Sequence, residues 1–200
     1  MSKNQLAEVV DGRRLRSERS RLAIVEAALA LQEEGVLVPT AQQISDRAGV
    51  GIRSFFRHFE DMESLFEVAD NHIRDSYEAH FLGGDRSGTL AQRVDRAVER
   101  YADGYEGVSN IMLGTQAQLW RYEVLRKNYA RNQRGLRKDL NDRLPELKSL
   151  PRETREAIDA IASFEMWHRL RRHQKLSKKS SSNVVKSLLK NLIEGTDADS

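Results

Sequence analysis

The sequence predicts an all-α fold, and three observations carry that prediction. Charged residues make up 32% of the 200-residue chain, and it holds only three prolines. Apolar residues recur at helical steps of three and four, as in Leu65, Phe66, Ala69 and Ile73. Capping residues stand at the starts of such windows, and no run alternates apolar and polar residues as a half-buried strand does. No internal repeat is present.

The elements follow in order. Residues 1–17 read as a flexible basic arm. A first helix, SRLAIVEAALALQEEG, sets Ile24, Ala27, Ala28 and Leu31 on one face, with Ser20 as N-cap and Gly35 at the left-handed position past its end. After Pro39, Thr40 opens a short second helix, and Gln43 stands at capping-box spacing from it. Gly49, between Ala48 and Val50, permits a sharp turn into a third helix over Ile52–His58. Asp61 caps a fourth helix ending near Phe81, and LGGDRSG (82–88) is a loop. Further helices are expected over 89–106, 115–143, 152–173 and 183–194. A weak segment (107–114), the loop between Pro145 and Pro151, and the serine-rich linker LSKKSSSN (176–183) separate them.

Composition excludes several functions. Without cysteine there are no disulfides, thiolate metal sites or thiol nucleophiles. MSKNQLAEVV lacks a signal peptide's apolar core, and no run reaches the roughly 18 apolar residues of a membrane span, so a cytoplasmic protein with no membrane partner is expected. No P-loop, dinucleotide-binding glycine turn or Gly-x-Ser-x-Gly elbow occurs, so no cofactor and no catalytic residue is expected. His72 with Asp75, and Glu165 with His168, lie one helical turn apart but lack further ligands, so no metal is expected either. Net charge is +3, built from 10 Lys+Arg against 14 Asp+Glu in residues 1–80 and 23 against 16 beyond. The basic clusters are RRLRSERSR (13–21) and RLRRHQKLSKK (169–179). Clusters of this kind are more often solvated faces than polyanion sites.

Two short helices joined by a glycine turn form the helix-turn-helix pattern, whose second helix enters the DNA major groove. Val50, Phe55 and Phe59 are expected to pack on Ile24, Ala28 and Ile44, leaving Ile52, Arg53, Ser54, Phe56, Arg57 and His58 outward or at the edges. A short helix polar on one side also occurs in proteins that bind no DNA.

Residues 18–80 resemble the DNA-binding domain of TetR-family transcriptional regulators. The matching residues are Ile24, Ala27, Ala28, Leu31, Gly35, Thr40, Ile44, Ala48, Gly49, Val50, Arg57, His58, Phe59, Asp61, Glu63 and Leu65. FEMWHRLRRHQKLS is similar to the penultimate helix of many such regulators. The resemblance implies a helix-turn-helix domain over 18–62, a connecting helix over 63–82, and a helical ligand-binding and dimerisation domain over 83–200. It implies a homodimeric, non-enzymatic regulator, in the family's commoner mode a repressor, that a small-molecule effector releases from a palindromic operator. Arg53 and Ser54 would then reach base edges, Arg53 holding a guanine and Gln42 an adenine by paired bonds. Arg57, His58 and Thr40 would meet phosphate, and Gly51, Ile52 and Phe56 complete the DNA-facing set. Four positions depart from the family pattern. Gly51 replaces its serine and Arg53 its glycine. Phe56 replaces its tyrosine and Met62 its lysine, which removes a phosphate-bonding hydroxyl and a charge.

The expected dimer interface is Ile158, Ile161, Trp167, Val185, Leu188 and Leu192, on the last two helices, two from each subunit forming a four-helix bundle. Those stripes would serve burial within one subunit equally well. Tyr101, Tyr105, Met112, Gln116, Trp120 and Phe164 are the candidate ligand pocket, and the same side chains suit an ordinary core. The alternatives in function are a helical adaptor that binds no DNA and a helical metal-dependent enzyme.

Overall fold

The computed structural model describes residues 3–195. Nine α-helices are found among them: α1 (Lys3–Glu33), α2 (Ala41–Ala48), α3 (Ile52–His58), α4 (Met62–Phe81), α5 (Leu90–Gln116), α6 (Glu123–Arg143), α7 (Arg152–Ile161), α8 (Phe164–His168) and α9 (Lys178–Gly195). A 3-10 turn spans Pro145–Lys148, and a π-helical turn, Arg169–His173, continues α8. The chain forms two compact units, Met1–Arg74 with Ser109–Tyr129, and Asp75–Val108 with Ala130–Ser200. Both units are discontinuous in sequence, where contiguous segments 18–62, 63–82 and 83–200 were expected. The reason is that α4, α5 and α6 each contribute residues to both.

In the first unit, Ile24, Val25 and Ala28 of α1 pack with Ile44, Phe55, Phe59 and Leu65 in one buried cluster. The end of α5 and the start of α6 join this unit through specific polar and close contacts. Asn110 Nδ2 donates to the Glu33 carbonyl at the end of α1, 2.8 Å away. A Cβ at Gly114 would stand 2.7 Å from both Gln32 Nε2 and the Leu37 carbonyl, so only glycine allows that approach. Phe66 meets Tyr122 edge-on, with ring centroids 5.1 Å apart.

In the second unit, arginines hold the end of α4 and the loop after it. Arg100 donates from Nε to the Phe81 carbonyl (3.0 Å) and from Nη2 to that of Ala79 (2.8 Å), both left open where the helix ends. Arg143 bonds the Gly83 carbonyl and pairs with Asp139 at 2.5 Å, both side chains 2% exposed. Arg86 and Tyr101 complete the bonds to Asp139, at 2.7 and 2.9 Å. Lys186 and Lys190 of α9 pair with Glu99 (2.6 Å) and Asp95 (3.0 Å) of α5, and Lys178 pairs with Asp103, so α9 runs antiparallel along α5.

Several expected elements differ. The arm over 1–17 is helical from Lys3, continuous with the expected first helix; most of its residues are good helix formers, and Gly12 is the weakest of the rest. The weak segment 107–114 lies inside α5, which is kinked at Val108 (φ −115°, ψ 15°) but does not stop there. The break falls at 117–122 instead. The helix expected over 152–173 is interrupted at Ala162–Ser163, where the Ser163 hydroxyl accepts from Met166 N and starts α8 anew. The serine linker is mostly helical. Ser177 accepts from Ser180 N at its start, and Ser181 and Ser182 are buried against the unit, so packing overrides their modest helix propensity.

Candidate nucleic-acid interface

The site is built by α2, the turn at Gly49 and α3. Thr40 caps α2. Its Oγ1 accepts from Gln43 N (3.2 Å) and Gln43 Oε1 accepts from Thr40 N (2.9 Å), the reciprocal pair that the spacing suggested. Gly49 ends α2 at φ 67°, a left-handed conformation costly to any residue with a Cβ. Val50 N then bonds the Ser45 carbonyl at 3.0 Å, which turns the chain into α3. Gly51 begins α3 with ordinary dihedrals (φ −70°, ψ 149°) and open space at its Cβ position, so nothing in the fold requires glycine there. Phe55 and Phe59 anchor the inner side of α3 at 0% and 2% exposure.

Outward lie Arg53, Phe56 and Arg57. Arg53 has no hydrogen-bond or ion-pair partner among the described residues. Arg57 Nη2 donates to Ser54 Oγ at 2.7 Å, which holds two of the expected contact groups against each other. Gln42 likewise donates to Asp46 Oδ1 at 2.8 Å along α2. Ile52 is half-buried against the core rather than displayed. His58 is half-buried, its Nε2 enclosed without a partner. Burial, then Arg57 and Arg21, lower its pKa against the opposing pull of Glu18, so the imidazole is neutral at pH 7 and brings no charge to a phosphate. Arg21 lies over the Phe59 ring, 5.3 Å from its centroid. Met62 is partly buried against the same core, which accounts for a thioether in place of a charge.

Two connections escaped the sequence. Glu63 accepts a hydrogen bond from Val124 N, and Arg47 forms a bidentate pair with Glu34 that ties α2 to the end of α1. Helical spacing carries no signal for either.

The candidate pocket residues have diverse places. Tyr101, Tyr105 and Phe164 are buried in the second unit, where Tyr105 donates to the Ala162 carbonyl at 2.8 Å. Burial, Asp139 and the hydrogen bond to it raise the Tyr101 phenol far above its ordinary pKa. A cavity lined by Tyr101, Tyr105, Ile161, Trp167, Val185 and Leu189 has a volume of about 10 Å³, enough for one water at most. Met112 and Gln116 belong to the first unit, where Gln116 Nε2 donates to the Tyr129 hydroxyl at 3.0 Å. Trp120 is 80% exposed on the turn between α5 and α6, so its assignment as a pocket wall is corrected: its indole projects from that turn into solvent.

The expected interface stripe also needs correction. Ile158, Trp167 and Val185 are buried within the subunit, at 0%, 4% and 4% exposure, because α7, α8 and α9 pack on their own chain. Ile161 and Leu192 are half-buried and Leu188 is exposed. Among the described residues no group of three or more His, Asp or Glu could hold a metal ion, and no helix is long and apolar enough to cross a membrane.

Residues 24–69 match the family model of bacterial regulatory proteins of the tetR family. No protein of curated function matches the chain. Among solved structures, a transcriptional regulator from Rhodococcus sp. Rha1 is 16% identical over 90% of this chain and 97% of its own, with a TM-score of 0.65. A chain assigned as a TetR-family transcriptional regulator from Rhodococcus sp. is 21% identical over 87% of this chain and 98% of its own, with a TM-score of 0.63. A chain assigned as a transcriptional regulator from Streptomyces coelicolor A3(2) is 23% identical over 86% and 98%, with a TM-score of 0.55. The match runs from within α1 into α4, the segment that builds the helix-turn-helix, so residues 24–69 are similar to the tetR-family model, and the chain shares its all-α fold with these solved structures.

Proposed function

We propose that the protein is a homodimeric, sequence-specific DNA-binding regulator that represses transcription from a palindromic operator until a small molecule releases it. The observation that carries this reading is the outward face of α3, with Arg53, Phe56 and Arg57 displayed while Phe55 and Phe59 anchor the helix. A short helix fixed by its inner side and cationic on its outer side suits entry into the major groove. Arg53 would hold guanine O6 and N7, and Thr40, at the start of α2, would meet phosphate. Gln42, Ser54 and Arg57 must exchange their present partners for DNA, and Gly51 leaves the backbone open to close approach. A single such helix covers few base pairs, so two subunits reading half-sites about 34 Å apart are expected.

Selection of the full-length protein on a random duplex library, followed by sequencing, tests this. Enrichment of an inverted repeat is the expected result; enrichment of nothing rejects the reading. For the effector, the cavity beside Tyr101 and Tyr105 supports a ligand only if side chains move to admit it. An effector coupled to DNA by a typical 1–3 kcal/mol would lower operator affinity about 5–150-fold, and DNA would lower effector affinity by the same factor.

A further inference from the structure

The outward face of α3 is divided by polarity. Successive helical residues are about 100° apart, so Phe56 and Arg57 fall on opposite sides of Arg53. Arg57 leans toward Ser54, which accepts its hydrogen bond at 2.7 Å, so that side is rich in hydrogen-bonding groups. The other side carries Phe56, 54% exposed, and one turn before it Ile52, partly buried on the core. Neither side chain can donate or accept a hydrogen bond.

The Phe56 ring is also held in place. It stands edge-on against Phe55 with centroids 5.2 Å apart and planes at 75°, and Phe55 is wholly buried. A fixed, displayed, apolar ring gains from a partner only where the partner is apolar. On the base edges of the major groove, the apolar group is the C5-methyl of thymine. The other bases present donors and acceptors there, which a phenyl ring would strip of water without replacing their bonds.

We propose that Phe56 reads the methyl group of a thymine in each half-site, beside the base held by Arg53. The inference rests on α3 being the groove-reading helix, and it adds the chemistry of one base position to that reading.

The experiment uses full-length protein and the selected operator. Each thymine of the half-site is replaced in turn by deoxyuridine, which removes only the methyl. One position per half-site should then lose about fourfold in affinity, the worth of one buried methyl group. 5-Methylcytosine at that position should bind better than cytosine. In Phe56→Ala the thymine and uracil operators should bind equally, whereas Phe56→Leu should keep a preference for thymine. The wild-type comparison stands even if Phe56→Ala fails to fold. A protein that binds the operator but ignores every methyl, or a methyl preference that survives in Phe56→Ala, overturns the inference and leaves the DNA reading intact. A protein that binds no duplex overturns both.

Discussion

Glu63, in the first turn of α4, accepts a hydrogen bond through Oε1 from the backbone N–H of Val124, 2.9 Å away at the start of α6. A side chain 61 residues earlier thus caps α6, and places a carboxylate at its positive end. Glu63→Ala should lower stability by about 0.5–2 kcal/mol. Glu63→Gln keeps the acceptor and loses only the charge, so its loss should be smaller, about 0.3–1 kcal/mol. Urea unfolding of both variants checks the order; equal losses would mean that the charge carries the whole effect and the neutral acceptor none of it.

The pair of Arg143 and Asp139 is buried on both sides and shares bonds with Tyr101, Arg86 and the Gly83 carbonyl. Asp139→Ala leaves a guanidinium without its counterion and should cost about 3–5 kcal/mol. Joint replacement by Asp139→Leu and Arg143→Met should cost less than the single change, because no buried charge is left unpaired and Arg86, which also loses Asp139, is exposed to water. A double-mutant cycle read by thermal unfolding decides; additive losses would show that the two residues are not coupled.

On DNA, Arg53→Ala should relax preference at one base of each half-site and cost about 1–3 kcal/mol, while Arg57→Ala should weaken all sequences alike. Gly51→Ser should be tolerated, since its Cβ meets nothing within 4 Å and the new hydroxyl can cap α3. Fluorescence titrations against operator variants separate these outcomes. Unchanged binding profiles in both arginine variants would remove α3 from the DNA.

For the dimer, Leu188 is the exposed member of the α9 stripe. Leu188→Glu should shift mass in light scattering from dimer to monomer while helicity by circular dichroism is kept. A dimer of unchanged stability would move the interface elsewhere.

Stability should also fall with acidity. Burial lowers the pKa of His168, with help from His173 and Arg172, and burial likewise lowers that of His58. Both take up a proton less readily in the folded state than in the unfolded chain, where the ordinary value is 6.5. The unfolded state therefore binds more protons below that pH, so stability is fully present above it and is lost on acidification. Melting temperature should drop between about pH 7.5 and about pH 5.5. The drop should be smaller in His168→Gln, and an identical profile in that variant would exclude this histidine as a source.

The helix-turn-helix was legible because its signals are local. Thr40 with Gln43 is a capping box within one turn, Gly49 supplies a left-handed residue, and Phe55 and Phe59 lie one turn apart, facing the same core. Such features depend on a few neighbouring residues, so sequence by itself determined α2, the turn and α3, together with the all-α class. Tertiary structure decided what depends on partners far along the chain. It carried α5 through Gly107 and Gly114, and buried Ser181 and Ser182 inside a helix. It also turned Ile158, Trp167 and Val185 inward and left Trp120 in solvent. An apolar residue at helical spacing announces that it will be buried, but only the packed structure shows against what. Hydrophobic burial has no direction of its own, and the choice among equally apolar surfaces is made by the shape of the elements that meet.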